Sequence, residues 1–211
     1  MRYLLLLLLS LVPLCTSASR AWAVEPPAAV APKVFEGTLD PLEPGRAPVL
    51  KQVVQAEFET TQGLLVLDIY PEAAPRAAER FIELVKAGYF DDTPIFRVEP
   101  GFVAQFGINS KMAEWKTRTF KDEPSLFKLG AGTIAFAKAG PDTNSTQVFI
   151  NYDDNSGLVQ QGGFTAFAKV SQGFENTLNF KEVMEAGDQT ALWQDTSGFL
   201  KTLSEKPAVI L

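Results

Sequence analysis

The amino-acid sequence predicts a mainly β fold, a closed antiparallel β-barrel capped by two α-helices, one at each open end. One reason is the order of the elements along the chain: strands, a helix, several strands, a second helix and a last strand. Another is that most apolar runs are short, β-prone and bounded by turn residues such as Gly, Pro, Asn and Asp. Closing such a sheet into a barrel removes its exposed edges.

The regular pattern begins with a hairpin followed by a helix. Residues 53–60 alternate between polar and apolar side chains, and residues 64–70 are apolar and β-prone after a short turn. Pro75 is a favourable first residue for a helix, and Gly88 is predicted to end that helix. The apolar face of this helix contains Ala78, Phe81, Ile82 and Val85.

The later elements follow the same rules. Residues 107–127 have Lys and Glu interspersed, which indicates a surface excursion between strands. The other predicted elements are strands over 94–98, 102–106, 133–137, 147–151 and 164–170, a helix over 174–186 that ends at Gly187, and a closing strand over 208–211.

The N-terminal segment is typical of an export signal. Residues 1–23 have a short basic start, a Leu-rich run and a small-x-small site, so we expect a secretory signal peptide. Cleavage is expected after Ala23, with Ala18 as the second option. We therefore expect an exported protein, in a periplasm by preference, with secretion or a lumenal compartment as alternatives.

Two segments follow the predicted signal. Residues 24–50 are rich in Pro and Ala, which indicates a linker or an N-terminal arm that lies over the domain. Residues 51–211 contain all the regular patterns and form the predicted domain.

The composition excludes several kinds of chemistry. The 211 residues contain no histidine and one cysteine, Cys15, which lies in the predicted signal. A Ser-His-Asp triad, a Cys-His pair and His-ligated zinc are therefore excluded. The net charge is −6, and the predicted signal contains Arg2 and Arg20 but no acid, so a nucleic-acid partner is not expected. We expect no metal, no cofactor, no membrane partner for the mature form, and a monomer by default.

Arg97 is the charged residue of a predicted strand whose other members are apolar. A charged side chain is rarely fully buried unless it is paired. Arg97 therefore either reaches water, forms an ion pair at the barrel mouth, or lies at the floor of a groove. Phe102 and Gln105 follow at offsets of five and eight, and they add an apolar ring and an amide suited to holding a peptide.

Three segments resemble, in the same order, those of cyclophilin-type peptidyl-prolyl cis-trans isomerases. Tyr-Phe-Asp-Asp-Thr at 89–93 leads into the Arg97 segment, and residues 137–150 read Ala-Lys-Ala-Gly-Pro-Asp-Thr-Asn-Ser-Thr-Gln-Val-Phe-Ile. The third segment is Phe-Thr-Ala-Phe-Ala-Lys-Val at 164–170. The resemblance spans most of the predicted domain, and it implies an eight-stranded barrel and isomerase activity.

The resemblance also implies the site residues. Arg97, Phe102 and Gln105 match the catalytic positions. The matches to substrate-binding positions are Val103, Ala137, Lys138, Ala139, Gln147, Phe149, Leu158 and Phe164. The resemblance assigns Phe102, Val103 and Phe149 to a proline pocket. It assigns Gln105 and Gln147 to holding the substrate backbone, and residues 137–139 to the strand edge along which the peptide lies.

Some positions depart from the family pattern. Val103 replaces a usual methionine, Lys138 replaces a usual asparagine, and Phe106 stands where a glycine is common. Gly157 falls where many members have tryptophan or phenylalanine, and Phe164 falls near a position often held by histidine or tyrosine. The tryptophan position affects cyclosporin binding in the family, so weak cyclosporin binding is expected here.

Prolyl isomerisation suits a chain without histidine, because it needs no nucleophile, metal or cofactor. The barrier of about 18–20 kcal/mol comes from amide resonance. Only tighter binding of the twisted amide speeds the step, and the permanently charged Arg97 can stabilise that amide. We therefore expect a peptidyl-prolyl cis-trans isomerase that assists folding of exported proteins by acting on their proline-containing segments.

The alternative is a cyclophilin-like peptide-binding module or chaperone with little isomerase turnover. The departures at Gly157, Phe164 and Lys138 favour it, whereas Arg97 argues against it because a pure binder has no need of that cation. A secreted hydrolase is disfavoured by the missing histidine and cysteine.

Overall fold

The computed structural model describes residues 39–43, 45–184 and 189–211. The predicted signal peptide and the first part of the predicted arm lie outside the described residues, as does the predicted helix end at Gly187. Within the described ranges, no helix is both long and apolar enough to cross a membrane.

Eight antiparallel strands close into a barrel in the order β1-β2-β7-β5-β6-β4-β3-β8, as the sequence predicts. The strands are β1 Val54–Thr60, β2 Gly63–Ile69, β3 Thr93–Glu99, β4 Val103–Phe106, β5 Thr133–Phe136, β6 Val148–Asn151, β7 Ala168–Gln172 and β8 Val209–Ile210. The ring closes at β8, which pairs with β1 through Ile210 and Thr60 and with β3 through Ile210 and Thr93.

The barrel interior is packed with aromatic rings. The ring centroids of Phe58 and Phe90 lie 5.4 Å apart, those of Phe81 and Phe90 5.3 Å apart, and those of Phe90 and Phe106 5.6 Å apart. Such pairs contribute about 0.5–1.5 kcal/mol each beyond the burial of their area. Phe106 therefore belongs to the core, and the large side chain at this position is explained by the space that it fills between its neighbours.

Helix α1, Pro75–Lys86, packs on this core. Its buried residues are Ala77, Ala78, Phe81 and Leu84. The helix begins with proline at its first turn, where the missing N–H has no helical partner to lose. Beyond the C-cap, Gly88 adopts a φ of 65°, a conformation that glycine reaches without a steric penalty.

The second helix predicted over 174–186 is wrong. The structure has a 3-10 helix at Phe174–Asn179, after which Phe180 is extended with φ −67° and ψ 142°. The reason is tertiary: Phe180 is buried in the barrel core, while Leu178, which a continuous helix would bury, is 69 % exposed. Asn176 also donates from its amide to the carbonyl of Leu64 at 3.0 Å, which ties the turn to β2.

The remaining helices are short. A 3-10 segment with a kink at Met112 spans Ser110–Thr117. The α-helices after α1 are α2 Gly157–Gly162, α3 Thr190–Gln194 and α4 Thr196–Thr202. The predicted surface excursion therefore contains a helical segment of its own.

The α3–α4 segment is attached to the outside of the barrel by a separate apolar cluster. Leu192 of α3 is fully buried in that cluster with Phe96 of β3 and with Ile108. Two reciprocal hydrogen bonds add to the attachment: the Ser110 N–H donates to the Thr196 hydroxyl at 3.1 Å, and the Thr196 N–H donates to the Ser110 hydroxyl at 2.9 Å.

The described part of the predicted arm packs on the barrel side. Leu39 and Leu50 are buried. The Leu42 N–H donates to the Leu126 carbonyl at 3.0 Å, and the Asp40 carbonyl accepts from the Lys128 N–H at 2.8 Å.

Candidate active site

Strand register places the central residues of the site in one row. Arg97 on β3 is paired with Gln105 on β4, and Gln105 is paired with Phe149 on β6. Alternation along β4 turns Gln105 and Val103 to one face, while Ala104 and Phe106 join the barrel core. Residues far apart in sequence therefore lie side by side on the barrel surface.

The Arg97 guanidinium is held on two sides. Its Nε donates to the Oε1 of Glu99 at 2.9 Å, its Nη2 contacts the same oxygen, and its Nη1 donates to the Oε1 of Gln105 at 3.0 Å. The guanidinium carbon also lies 5.8 Å from the centre of the Phe102 ring. Arg97 is 18 % exposed at its side chain, so the cation is fixed yet still open to the groove.

A line of side-chain amides continues from Arg97. The Gln105 amide donates to the Oε1 of Gln147 at 2.7 Å, and the Gln147 amide donates to the Oε1 of Gln189 at 2.8 Å. Gln105 and Gln147 are thus oriented by neighbours on both sides. Gln189, which was not predicted as a site residue, brings the start of α3 to the groove.

The apolar part of the groove lies beside Arg97. Phe102, Leu158 and Phe164 are partly buried and pack against a second core cluster that contains Val103 and Phe149. The rings of Phe149 and Phe164 meet edge to face at 5.7 Å. These residues form a concave apolar surface suited to a flat ring.

Lys138 does not project freely into the groove. Its side chain is only 4 % exposed, and its Nζ donates to the Asp122 carboxylate at 2.7 Å and to the Gly163 carbonyl at 3.1 Å. Partial burial alone would raise the pKa of the Asp122 carboxyl, but hydrogen bonds from Lys138 and Asn144 outweigh it and hold that pKa below its usual value. Lys138 therefore links the strand-edge residues 137–139 to Asp122 and Gly163 at the rim of the groove.

The structure brings every predicted site residue to one groove of about 900 Å³. Other residues line the same groove without having been predicted: Lys116, Thr119, Thr143, Ser145, Gln189, Thr190, Trp193 and Gln194. The positions of Thr143 and Ser145 next to the Gln147 motif could have suggested their presence. No local signal points to α3, because its place depends on contacts with a distant part of the chain.

Comparison with known proteins gives one consistent result. The family model described as cyclophilin type peptidyl-prolyl cis-trans isomerase/CLD matches residues 55–196. The human protein named peptidyl-prolyl cis-trans isomerase-like 1 is 36 % identical over 122 residues, which cover 55 % of this chain and 72 % of that protein.

Solved structures agree on the fold. A cyclophilin type peptidyl-prolyl cis-trans isomerase of Cryptosporidium parvum has a TM-score of 0.53 and 26 % identity, covering 60 % of this chain and 82 % of its own. A second structure of that protein, obtained in the presence of the dipeptide Ala-Pro, has a TM-score of 0.52 and 22 % identity, covering 75 % and 99 % of the two chains.

Proposed function

The chain belongs to the cyclophilin-type peptidyl-prolyl cis-trans isomerases, and from that premise we propose how its groove works and where it acts. It is an isomerase of X-Pro peptide bonds that binds proline-containing peptides. The proposal concerns the roles of the groove residues, the exported substrates and the compartment.

Arg97 acts on the twisted amide. Rotation about the X-Pro bond breaks the amide resonance and localises a lone pair on the prolyl nitrogen. An arginine has five N–H donors, and Glu99 and Gln105 accept from only some of those of Arg97. The remaining donors can meet the prolyl nitrogen or the adjacent carbonyl, and they favour the twisted form over both planar forms.

The apolar surface holds the pyrrolidine ring while the preceding carbonyl turns. Phe102, Val103 and Phe149 belong to one apolar cluster and line the groove together, and we assign them to this pocket. Gln105, Gln147 and the edge at 137–139 offer hydrogen bonds to the substrate backbone. Rotation about the X-Pro bond requires that the pyrrolidine ring stays fixed while the preceding carbonyl is free to turn.

The position of Arg97 beside the apolar part of the groove carries this proposal. Its test is an NMR exchange measurement on an Ala-Pro peptide with wild type and with Arg97→Ala. We expect the variant to lose about 10²- to 10³-fold in rate, the usual cost of removing one preorganised donor group. Arg46→Ala is the control, because Arg46 pairs with Glu43 on the exposed arm. Equal rates for wild type and Arg97→Ala would contradict the role of Arg97.

The same measurement separates the isomerase from a peptide-binding module or chaperone. A module would bind Ala-Pro peptides with little turnover in wild type as well. An Arg97→Ala variant that retains peptide affinity but loses exchange supports catalysis by the cation.

We also propose that the protein acts on exported proteins in a periplasm, and that it does so as a monomer with no nucleic-acid or membrane partner. Support comes from the sequence of residues 1–23 and from the acidic net charge of −6. Cell fractionation with N-terminal sequencing tests the compartment. Recovery of the protein from the cytoplasm with residues 1–23 still attached would contradict the proposed compartment.

Weak cyclosporin binding belongs to the same proposal. Gly157 at the start of α2 has no side chain to offer, and a Cβ added there would make only an ordinary contact with the Gln161 amide at 3.9 Å. Introducing Gly157→Trp should tighten binding in a calorimetric titration. Tight inhibition of the unaltered protein would contradict the proposal.

A further inference from the structure

The groove continues beyond the proline pocket into an outer compartment. Its lining includes Lys116 and Thr119 together with Gln189, Trp193 and Gln194 of the α3 region, and the Lys116 ammonium contacts the Trp193 ring. We propose that this outer compartment selects substrates with an acidic side chain near the proline, and that Lys116 and Trp193 make the selection. The inference rests on the proposed function, because it concerns the substrates of the same groove.

The α3 wall is a fixed part of the groove. Leu192 is fully buried between β3 and the 3-10 helix region, and Thr196 and Ser110 exchange two hydrogen bonds just beyond α3. On the groove side, Gln189 accepts a hydrogen bond from Gln147 at 2.8 Å. The wall is therefore joined to the barrel both behind and in front.

The charged side chains among the described residues that line the groove are all cations. Arg97, Lys116 and Lys138 line it, and among the described residues no carboxylate does so. This is unexpected in a chain with a net charge of −6. The groove surface thus has a sign opposite to that of the protein as a whole.

Two of these cations already have anionic partners. Arg97 pairs with Glu99, and Lys138 pairs with Asp122 at 2.7 Å. Lys116 forms no ion pair within the part of the chain that the structure describes. It supplies the positive charge that a ligand can still use.

Trp193 holds that charge in place without cancelling it. The Lys116 ammonium lies 4.5 Å from the centre of the Trp193 ring. A ring face attracts an ammonium but carries no net charge, so the three N–H donors remain able to bind a carboxylate. An acidic substrate residue gains an ion pair in this compartment, whereas a basic residue meets a like charge.

The experiment uses peptides with an Ala-Pro core and one variable residue, Glu, Gln or Lys, placed in turn at the two positions before and the two positions after the core. The measured quantity is kcat/KM by NMR exchange with the whole protein. At one of these positions we expect wild type to prefer Glu over Lys by about two- to five-fold, the usual strength of an exposed ion pair.

Variants at Lys116 test the assignment. Lys116→Gln should remove the preference and Lys116→Glu should reverse it. Lys111→Glu is the matched control, because Lys111 lies in the same segment, before the kink at Met112, pairs with Asp92 and does not line the groove. The Lys111→Glu variant has the same change of charge as Lys116→Glu. It should leave the ratio of kcat/KM for the Glu peptide to kcat/KM for the Lys peptide as in wild type.

Variants at Trp193 test the aromatic ring that contacts the Lys116 ammonium. Trp193→Phe keeps an aromatic face and should retain the preference, whereas Trp193→Ala should weaken it. An identical ratio in wild type and Lys116→Glu at all positions would overturn the inference while leaving the isomerase activity standing. Should wild type turn over none of the peptides, the proposed function fails, and the affinities of the Glu and Lys peptides by calorimetry still decide the inference.

Discussion

The two sides of the groove are built in different ways. The inner wall, Arg97, Phe102, Gln105 and Phe149, lies on or beside paired strands, so its geometry is fixed by backbone hydrogen bonds and register. The outer wall consists of the α3 residues, which are attached by side-chain contacts around Leu192, and of Lys116, which contacts Trp193. The residues proposed to act on the amide therefore lie on or beside hydrogen-bonded strands, while the residues proposed to meet the flanking peptide depend on side-chain packing for their position.

Detaching the outer wall is expected to have the largest effect. Leu192→Ala should cost about 2–5 kcal/mol of local stability, the usual range for a buried leucine. Hydrogen exchange should show loss of protection over residues 190–202 while the strands stay protected. Leu178→Ala, at a leucine that is 69 % exposed, is the control and should change neither region. Equal loss of protection in the strands would show that the two walls are one cooperative unit.

The next largest effect is expected at the inner wall. Phe102→Ala removes part of the proposed proline pocket, a ring whose centre lies 5.8 Å from the guanidinium carbon of Arg97. Loss of about 1.5–3 kcal/mol of apolar contact predicts a fall of about ten- to a hundredfold in kcat/KM by NMR exchange.

The matched control for that change is Phe174→Ala. Phe174 packs against Tyr152, away from the groove. The control should lower the free energy of unfolding but not the exchange rate per folded molecule. A rate that falls equally in both variants would show that Phe102 acts through stability alone.

A smaller effect is expected at the ion pair between Glu99 and Arg97. Glu99→Gln weakens the grip on Arg97, so we expect kcat to fall by about three- to tenfold, with KM nearly unchanged, because a charged hydrogen bond contributes about 1.5–3 kcal/mol and the amide replaces part of it. In an Arg97→Ala background the same change should have no effect. A kcat that is higher in Glu99→Gln than in wild type would mean that Glu99 limits the action of Arg97 and does not position it for catalysis.

The smallest effect concerns the rim where Lys138 meets Asp122. The pKa of Asp122 is lower in the folded than in the unfolded protein, so its ion pair contributes stability above about pH 4, the usual range of an aspartate, and loses it as the pH falls. In urea titrations, wild type should exceed Asp122→Asn in stability at pH 6, and the difference should shrink towards pH 3.

The control for this pH dependence is Asp40→Asn, at an exposed aspartate of the arm. Its difference from wild type should be small at every pH. A gap between wild type and Asp122→Asn that stays constant with pH would contradict the role of the ionised carboxylate.

The contrast between the walls also explains what the sequence could predict. Arg97 and Gln105 flank a Pro-Gly turn, so a local hairpin pattern is enough to place them opposite each other. The barrel and the eleven predicted groove residues follow from such local patterns together with the family resemblance. Whether those residues have the predicted roles stays a prediction.

The outer wall could not be found in this way. Ser110 and Thr196, which fix it, are separated by 86 residues, and neither belongs to a motif. The predicted helix over 174–186 failed for a related reason. Burial of Phe180 in the barrel outweighs the helical spacing of its neighbours, and local spacing contains no information about that contact.

The way in which β8 closes the ring bears on how the chain reaches its native state. The Val209 N–H donates to the Thr61 hydroxyl across 148 residues of sequence, and Ile210 pairs with strands at both ends of the sheet order. Contacts between residues so distant in sequence are entropically costly to form early and are associated with slow folding. We expect the hairpin of β1 and β2 to form first and the seam at β8 last, so that a chain still lacking residues 209–210 is an open sheet with two unpaired edges.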